Sequence, residues 1–287
     1  MADAPEILRY SAFAATPEGG NPAAVVLDAA HLDDASMQRI AAEVGYSETA
    51  FVIGQDVETH RYRVRFWSPA AEVPFCGHAT VATAVALVER GGAGDASSET
   101  LSFETQGGRV ELRPTRSTDG SVTVSFTSVE PEVRDIDVRV RDRLLALLGL
   151  GEADIDPRLP VRESFAGNWH PVVVITDPEV FHQFRFSPAE VAALMREQGW
   201  LGTVTVLHAL SPWEFEARNL FPVGRITEDP ATGSAAASTG AYLRDQGYPE
   251  QAIRIQQGRH VGRPSTLEVR IPAEGGIEVS GGATRIG

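Results

Sequence analysis

The chain has 287 residues, 43% of them hydrophobic and 22% charged, a globular composition long enough for two domains of ordinary size. Its net charge of -14, with no run of Lys and Arg, opposes a polyanionic partner such as nucleic acid. A single cysteine, Cys76, excludes an intrachain disulfide framework and any multi-cysteine metal site.

From the N-terminus, Asp3, Glu6, Arg9 and Glu18 interrupt the opening segment, so no secretory signal is expected there. A strand over residues 7–14 leads to Gly20-Asn21-Pro22 and a β-rich run over 23–27. A helix is expected over 34–44, with Met37, Ile40, Ala41 and Val44 on one face. A short strand at 49–53 and an alternating strand at 62–67 follow. A proline-containing loop then reaches Phe75-Cys76-Gly77-His78-Ala79-Thr80, which opens an Ala/Val-rich helix ending near Gly91. The segment 75–88 is uncharged but too short for a bilayer and carries His78, Thr80 and Thr83, so a cytoplasmic protein without membrane contact is expected. Residues 101–109 turn into two further strands ending at Phe126.

The second half repeats that order. Gly167-Asn168-Trp169-His170-Pro171 precedes a run over 172–175, then a helix over 188–198 and strands near 203–207 and 215–220. Another proline-containing loop gives Asp229-Pro230-Ala231-Thr232-Gly233-Ser234, an Ala-rich helix, and then strands from 253 to 279. Six elements in the same order point to a duplication. The division expected is an N-terminal lobe 1–128 and a C-terminal lobe 129–287, with a linker about 129–156 carrying a helix at 140–148. The helices at 79–88 and 235–243 hold no charge, and a helix apolar or small on all sides is buried on all sides. The fold class expected is therefore α+β. Two pseudo-symmetric lobes each wrap a curved, mostly antiparallel sheet around a central helix, and they face each other across a cleft.

Each central helix begins at a glycine followed by a polar side chain, Gly77-His78 and Gly233-Ser234. The free amides of a helix start favour an anion, so the two starts are candidate carboxylate or carbonyl binders. The bland alternative is that each glycine only makes the tight turn that a buried helix needs. In the same way Glu48 reads as a loop carboxylate, His78 as a capping residue and Asp229 as a turn former when each is taken alone.

Four stretches change that balance: residues 45–51 (GYSETAF), 73–80 (VPFCGHAT), 228–235 (EDPATGSA), and Gly258 through Gly262-Arg263-Pro264-Ser265. Together they resemble the signature segments of the PhzF-like (phenazine biosynthesis-like) isomerase family, which has the diaminopimelate-epimerase-like fold. The resemblance runs from Gly20-Asn21-Pro22 to the final strands. It implies a cofactor-independent, metal-free isomerase acting on a small carboxylate, and dimers are familiar in that family. It implies that Glu48 is the acid/base, that His78 and Asp229 assist in proton handling, and that Ser234 helps hold the substrate, beside the helix-start glycines Gly77 and Gly233 already read as substrate binders. Racemases and epimerases of this fold use one cysteine per lobe. Here the counterpart of Cys76 lies near Asp229-Pro230-Ala231, without a thiol, so a one-base shuttle is expected and Cys76 reads as a small packing residue.

No Gly-x-Gly-x-x-Gly loop follows a strand, and the seven histidines show no ligand spacing, so neither a dinucleotide nor a catalytic metal is expected. Arg218 and Arg263 are candidates for a second anionic group or for strand-edge roles, and His170 for the cleft wall. Substrate specificity is placed in the loops 89–99 and 181–186. Two alternatives stand beside the isomerase: an epimerase- or racemase-like enzyme, and a non-catalytic carboxylate-binding protein.

Overall fold

The computed structural model describes residues 5–56, 58–91, 100–224 and 226–287. The chain forms two compact units, Met1–Thr127 with Ser280–Gly287, and Ser128–Val279. The last strand therefore belongs to the first unit, which a single cut near residue 128 does not anticipate. Of the loop 89–99, residues 92–99 lie outside the described residues.

The first unit contains β1 (Leu8–Ala12), β2 (Asn21–Val26), β3 (Glu48–Asp56), β4 (Arg61–Trp67), β5 (Glu72–Val73), β6 (Leu101–Thr105), β7 (Gly108–Arg116) and β8 (Val122–Thr127). Its helices are α1 (Asp34–Val44) and α2 (Gly77–Glu89). Strand β1 pairs antiparallel with β2, β2 parallel with β3, β3 antiparallel with β4, and β4 parallel with β6. Antiparallel β6–β7 and β7–β8 follow, and the C-terminal strand β17 (Glu278–Arg285) pairs with both β8 and β1, closing the ring.

Helix α2 packs against β1, β2, β3, β7 and β8, inside that ring. Every residue from His78 to Val88 is buried. Two hydroxyls on this helix turn back onto it, Thr80 Oγ1 to the Cys76 carbonyl and Thr83 Oγ1 to that of Ala79, each at 2.7 Å. No hydroxyl of the pair is left unsatisfied in the apolar interior. Helix α1 covers the opposite face of the sheet, chiefly on β3 and β4: Asp33 caps it by accepting from the Ser36 amide, and Met37, Ile40 and Ala41 cluster with Val26, Phe51 and Trp67. Strands covered on both faces read as continuous apolar runs, which explains Ala23-Ala24-Val25-Val26 and Ala50-Phe51-Val52.

The second unit contains β9 (Glu132–Asp135), β10 (Arg162–Phe165), β11 (Trp169–Val174), β12 (Val204–Ser211), β13 (Glu214–Leu220), β14 (Glu228–Asp229), β15 (Gln251–Gln257) and β16 (Ser265–Ile271). Its pairings repeat those of the first unit. β10–β11 is antiparallel, β11–β12 parallel, β12–β13 and β13–β14 antiparallel, β13–β15 parallel and β15–β16 antiparallel. Helix α6 (Gly233–Asp245) is buried from Ala235 to Leu243 and packs on β9, β10, β11 and β16. Helices α3 (Val138–Leu147) and α5 (Pro188–Gln198) supply Leu144, Leu145, Val191, Leu194 and Met195 to a cluster with Val173, Val204 and Val206. The segment expected as a linker thus contributes a strand and a helix to this unit. Part of the expected loop 181–186 is instead helical, in α4 (Pro178–Gln183). No helix among the described residues is long and apolar enough to cross a membrane.

Candidate active site

In the first unit, polar side chains meet where β2 and β3 begin and α2 opens. Gly20 sets the approach: its φ is +77°, and a Cβ there would lie 2.5 Å from Ser11 Oγ and 2.6 Å from the Ala12 carbonyl, so only glycine fits. Next to it, Asn21 Nδ2 lies 3.2 Å from His78 Nδ1. An amide nitrogen donates, so Nδ1 accepts and the imidazole proton is assigned to Nε2. That nitrogen faces Glu48 Oε2 at 3.3 Å and Ser47 Oγ at 3.2 Å. His78 is buried, and the Glu48 side chain keeps 19% of its surface exposed. The result is a carboxylate oriented by a buried imidazole and still open to a ligand.

Cys76, expected to pack as a small apolar residue, instead sits in this polar group. Its Sγ is 3.5 Å from Glu48 Oε2, 3.3 Å from His78 Nδ1 and 3.7 Å from His78 Nε2. Near-equal distances to both ring nitrogens place the sulfur beside the ring rather than along one lone pair. Cys76 is also the N-cap of α2 and makes no side-chain cap hydrogen bond, as Thr232 does not for α6. The helix caps therefore align Cys76 with Thr232, not with the 229–231 segment.

In the second unit Asp229 ends β14, and its Oδ2 accepts a hydrogen bond of 2.6 Å from the Thr232 hydroxyl. Gln257 Nε2 donates to the Asp229 carbonyl at 2.7 Å and to Thr232 Oγ1 at 2.9 Å, fixing the turn ahead of Gly233. Ser234, the second residue of α6, lies with its Oγ 3.1 Å from His170 Nε2. His170 is fully buried, and burial pushes its pKa down to about 4 from 6.5, partly offset by its contact with the Thr203 backbone.

The neutral ring of His170 has its proton assigned by its neighbours. The Thr203 amide, 2.9 Å from Nδ1, can only donate. The Thr203 hydroxyl, 3.0 Å from Nδ1, gives its own proton to Asn219 Oδ1 at 2.7 Å. A proton on Nδ1 would favour the Thr203 carbonyl at 3.1 Å but would set N–H against N–H. The proton accordingly sits on Nε2 and is donated to Ser234, whose hydroxyl keeps its own proton to give. Gly202 makes room: a Cβ there would lie 2.5 Å from His170 Cε1. The sequence signal for His170 is that Asn21-Pro22 and His170-Pro171 hold equivalent places at the starts of β2 and β11.

Matching the two units by strand register shows which features are duplicated. Asn21 contacts His78, and the equivalent His170 contacts Ser234. Arg65 binds Glu72 at 2.6 and 2.7 Å, and the equivalent Arg218 binds Glu228 at 2.6 Å. Arg218 is thus committed to a buried partner and is no candidate for a second substrate anion. The candidate carboxylates Glu48 and Asp229 are not duplicated. Ala23 pairs with Glu48 where Val172 pairs with Thr205, and Val73 stands where the second unit has Asp229.

Among the described residues, two sets of side chains could also hold a metal ion: Glu48, Cys76 and His78, and His182, Glu216 and His260, each with donor atoms within 4.8 Å of one another. Both combine residues from separate elements, so the spacing of histidines along the chain does not reveal them.

A family model described as "Phenazine biosynthesis-like protein" matches residues 10–286. The chain is 34% identical over 274 residues to an uncharacterized isomerase of Deinococcus radiodurans, covering 92% of this chain and 86% of that one. It is 35% identical over 261 residues to an uncharacterized isomerase of Pseudomonas aeruginosa, covering 90% and 88%. Among solved structures, a Bacillus anthracis phenazine biosynthesis protein of the PhzF family superposes with a TM-score of 0.84 at 26% identity, covering 98% and 96%. A probable proline racemase from Agrobacterium radiobacter, 13% identical with a TM-score of 0.65 over 98% and 91%, shares the fold alone.

Proposed function

Because the chain belongs to the phenazine biosynthesis-like protein family, we propose that it is a cofactor-independent isomerase that moves a proton on a small carboxylate-bearing substrate, with Glu48 as its one base. The observation that carries this reading is the Glu48 carboxylate, partly exposed and held 3.3 Å from His78 Nε2. Glu48 takes a proton from a carbon next to an electron-withdrawing group. The electron pair moves into the conjugated system, and the protonated Glu48 returns the proton to another carbon. The helix start at Gly77, and separately that at Gly233 with the Ser234 hydroxyl, each offer hydrogen-bond donors that suit charge on a substrate's oxygens. Asp229 and His78 assist by orienting and exchanging protons.

A two-base epimerase is the weaker reading. Cys76 is near enough to Glu48 to take part, but its counterpart is Thr232, whose hydroxyl is engaged with Asp229. The test is proton NMR of the purified, chelator-treated protein with a panel of small unsaturated carboxylates in D2O. A positional isomer should form without added nucleotide or metal, retaining part of the substrate-derived hydrogen at its new position. Inversion at one carbon with complete solvent exchange, or turnover only after metal is restored, would overturn the proposal.

A further inference from the structure

Three side chains from separate elements of the second unit converge in a place that the proposed isomerisation does not use. His182 lies in the last turn of α4, Glu216 in β13, and His260 in the single helical turn Arg259–Val261. His182 Nδ1 is 3.3 Å from His260 Nε2, the other ring nitrogen of His182 is 3.8 Å from Glu216 Oε2, and one donor atom from each of the three residues lies within 4.8 Å of the others. Two nitrogens bound at zinc distances around a tetrahedral ion sit about 3.3 Å apart, so the histidine pair already has ligand spacing.

Glu216 supplies the stronger argument. It is only 4% exposed, and its Oε1 has no hydrogen-bond partner. The nearest guanidinium, Arg259 Nη1, stands 3.7 Å away on a side chain that is 72% exposed, so solvent screens it. Buried carboxylates are paired and hydrogen-bonded or they coordinate metals, and this one lacks the hydrogen bonds. The surroundings are rigid enough for a site. The Phe181 ring packs against His182, His208 and His260 with centroids 5.3 to 5.8 Å apart. Gly258 makes the turn that presents His260: its φ is +80°, and a Cβ there would lie 2.2 Å from the Arg263 carbonyl and 2.6 Å from that of Pro230.

We infer that His182, Glu216 and His260 bind a first-row divalent transition metal ion of the zinc type. Two imidazoles and a carboxylate suit Zn2+, Co2+ or Ni2+ far better than Mg2+ or Ca2+, which prefer all-oxygen sites. Three protein ligands leave a fourth position for water, and His182, 34% exposed at its side chain, gives the ion a way in. The ion would neutralise Glu216 and release Arg259 to solvent.

The test titrates chelator-treated full-length protein with Co2+, followed by its visible spectrum, and with Zn2+ by calorimetry. One ion per chain is expected, with a cobalt spectrum free of thiolate-to-metal charge transfer, since Cys76 belongs to the other candidate set. His182→Ala and His260→Ala should each weaken binding by at least about tenfold, while Cys76→Ser binds as the wild type does. The cobalt spectrum needs no variant, so a poorly folded substitution does not blur the outcome. Absence of a stoichiometric site, a thiolate band, or binding that survives both histidine substitutions would each overturn the assignment.

Discussion

His170 Nε2 lies 3.1 Å from Ser234 Oγ, and because His170 Nδ1 accepts from the Thr203 amide, the serine oxygen accepts a hydrogen bond from the imidazole Nε2–H and keeps its own proton to donate. A hydroxyl fixed in that sense favours a hydrogen-bond acceptor, such as a carboxylate oxygen, over an ammonium group. His170→Phe keeps a flat ring but removes both polar contacts. Substrate KM should rise by about tenfold with a smaller change in kcat, and stability should fall by about 1–3 kcal/mol because a buried amide loses its acceptor. In the wild type, 15N NMR should show the Nε2–H tautomer.

The same residue gives the fold a pH dependence. Its folded pKa of about 4 lies below the ordinary 6.5, so between these values the unfolded chain binds a proton that the native chain refuses. This contribution is complete above pH 6.5 and is lost as pH falls toward 4, with a limit on the order of 3 kcal/mol. Urea denaturation at a series of pH values should show stability falling through this window, less steeply in His170→Phe. Equal slopes in the two proteins would remove His170 as the cause.

Asn21 plays the matching part in the first unit, donating to His78 Nδ1 and so leaving the Nε2 proton to face Glu48. Asn21→Leu preserves bulk but frees the imidazole to adopt either tautomer. A fall in kcat of about tenfold, with KM little changed, is the expected result in steady-state kinetics. An unchanged kcat would show that the tautomer does not matter to turnover.

The duplicated ion pairs differ in burial, and their removal should differ accordingly. Arg218 and Glu228 have side chains 6% and 8% exposed, against 21% and 15% for Arg65 and Glu72. Glu228→Ala leaves a buried guanidinium without its carboxylate and should destabilise by about 3–5 kcal/mol. Glu72→Ala should cost clearly less, because water reaches its partner and Asp34 also contacts it. Urea midpoints of the two variants make the comparison.

Much of the architecture was legible because buried helices announce themselves. The uncharged runs after Gly77 and Gly233 can only lie inside, and the helices 34–44 and 188–198 form over the residues that their apolar spacing and end signals indicate. Less legible was anything set by contacts distant in sequence. Nothing local in residues 278–285 says that they pair with β1, and the short segment 132–135 becomes a strand by pairing with 162–165, itself held on its other side by β11. Of the candidate site, Glu48 and His78 come from two separate motifs and lie 3.3 Å apart, whereas the place of Cys76 beside both follows from its being the helix cap. The partnership of His170 with Ser234 joins residues 64 positions apart and is visible only once β11 and α6 are packed.

Glu48 as the one base is the central claim, and steady-state kinetics of Glu48→Gln beside Cys76→Ser tests it most directly. Glutamine keeps the size and the contact with His78 but cannot accept a proton. The account predicts a fall in kcat of at least about a hundredfold for Glu48→Gln, with KM nearly unchanged, and turnover within about tenfold of the wild type for Cys76→Ser. Near-wild-type turnover in Glu48→Gln, or loss of turnover in a folded Cys76→Ser, would contradict it.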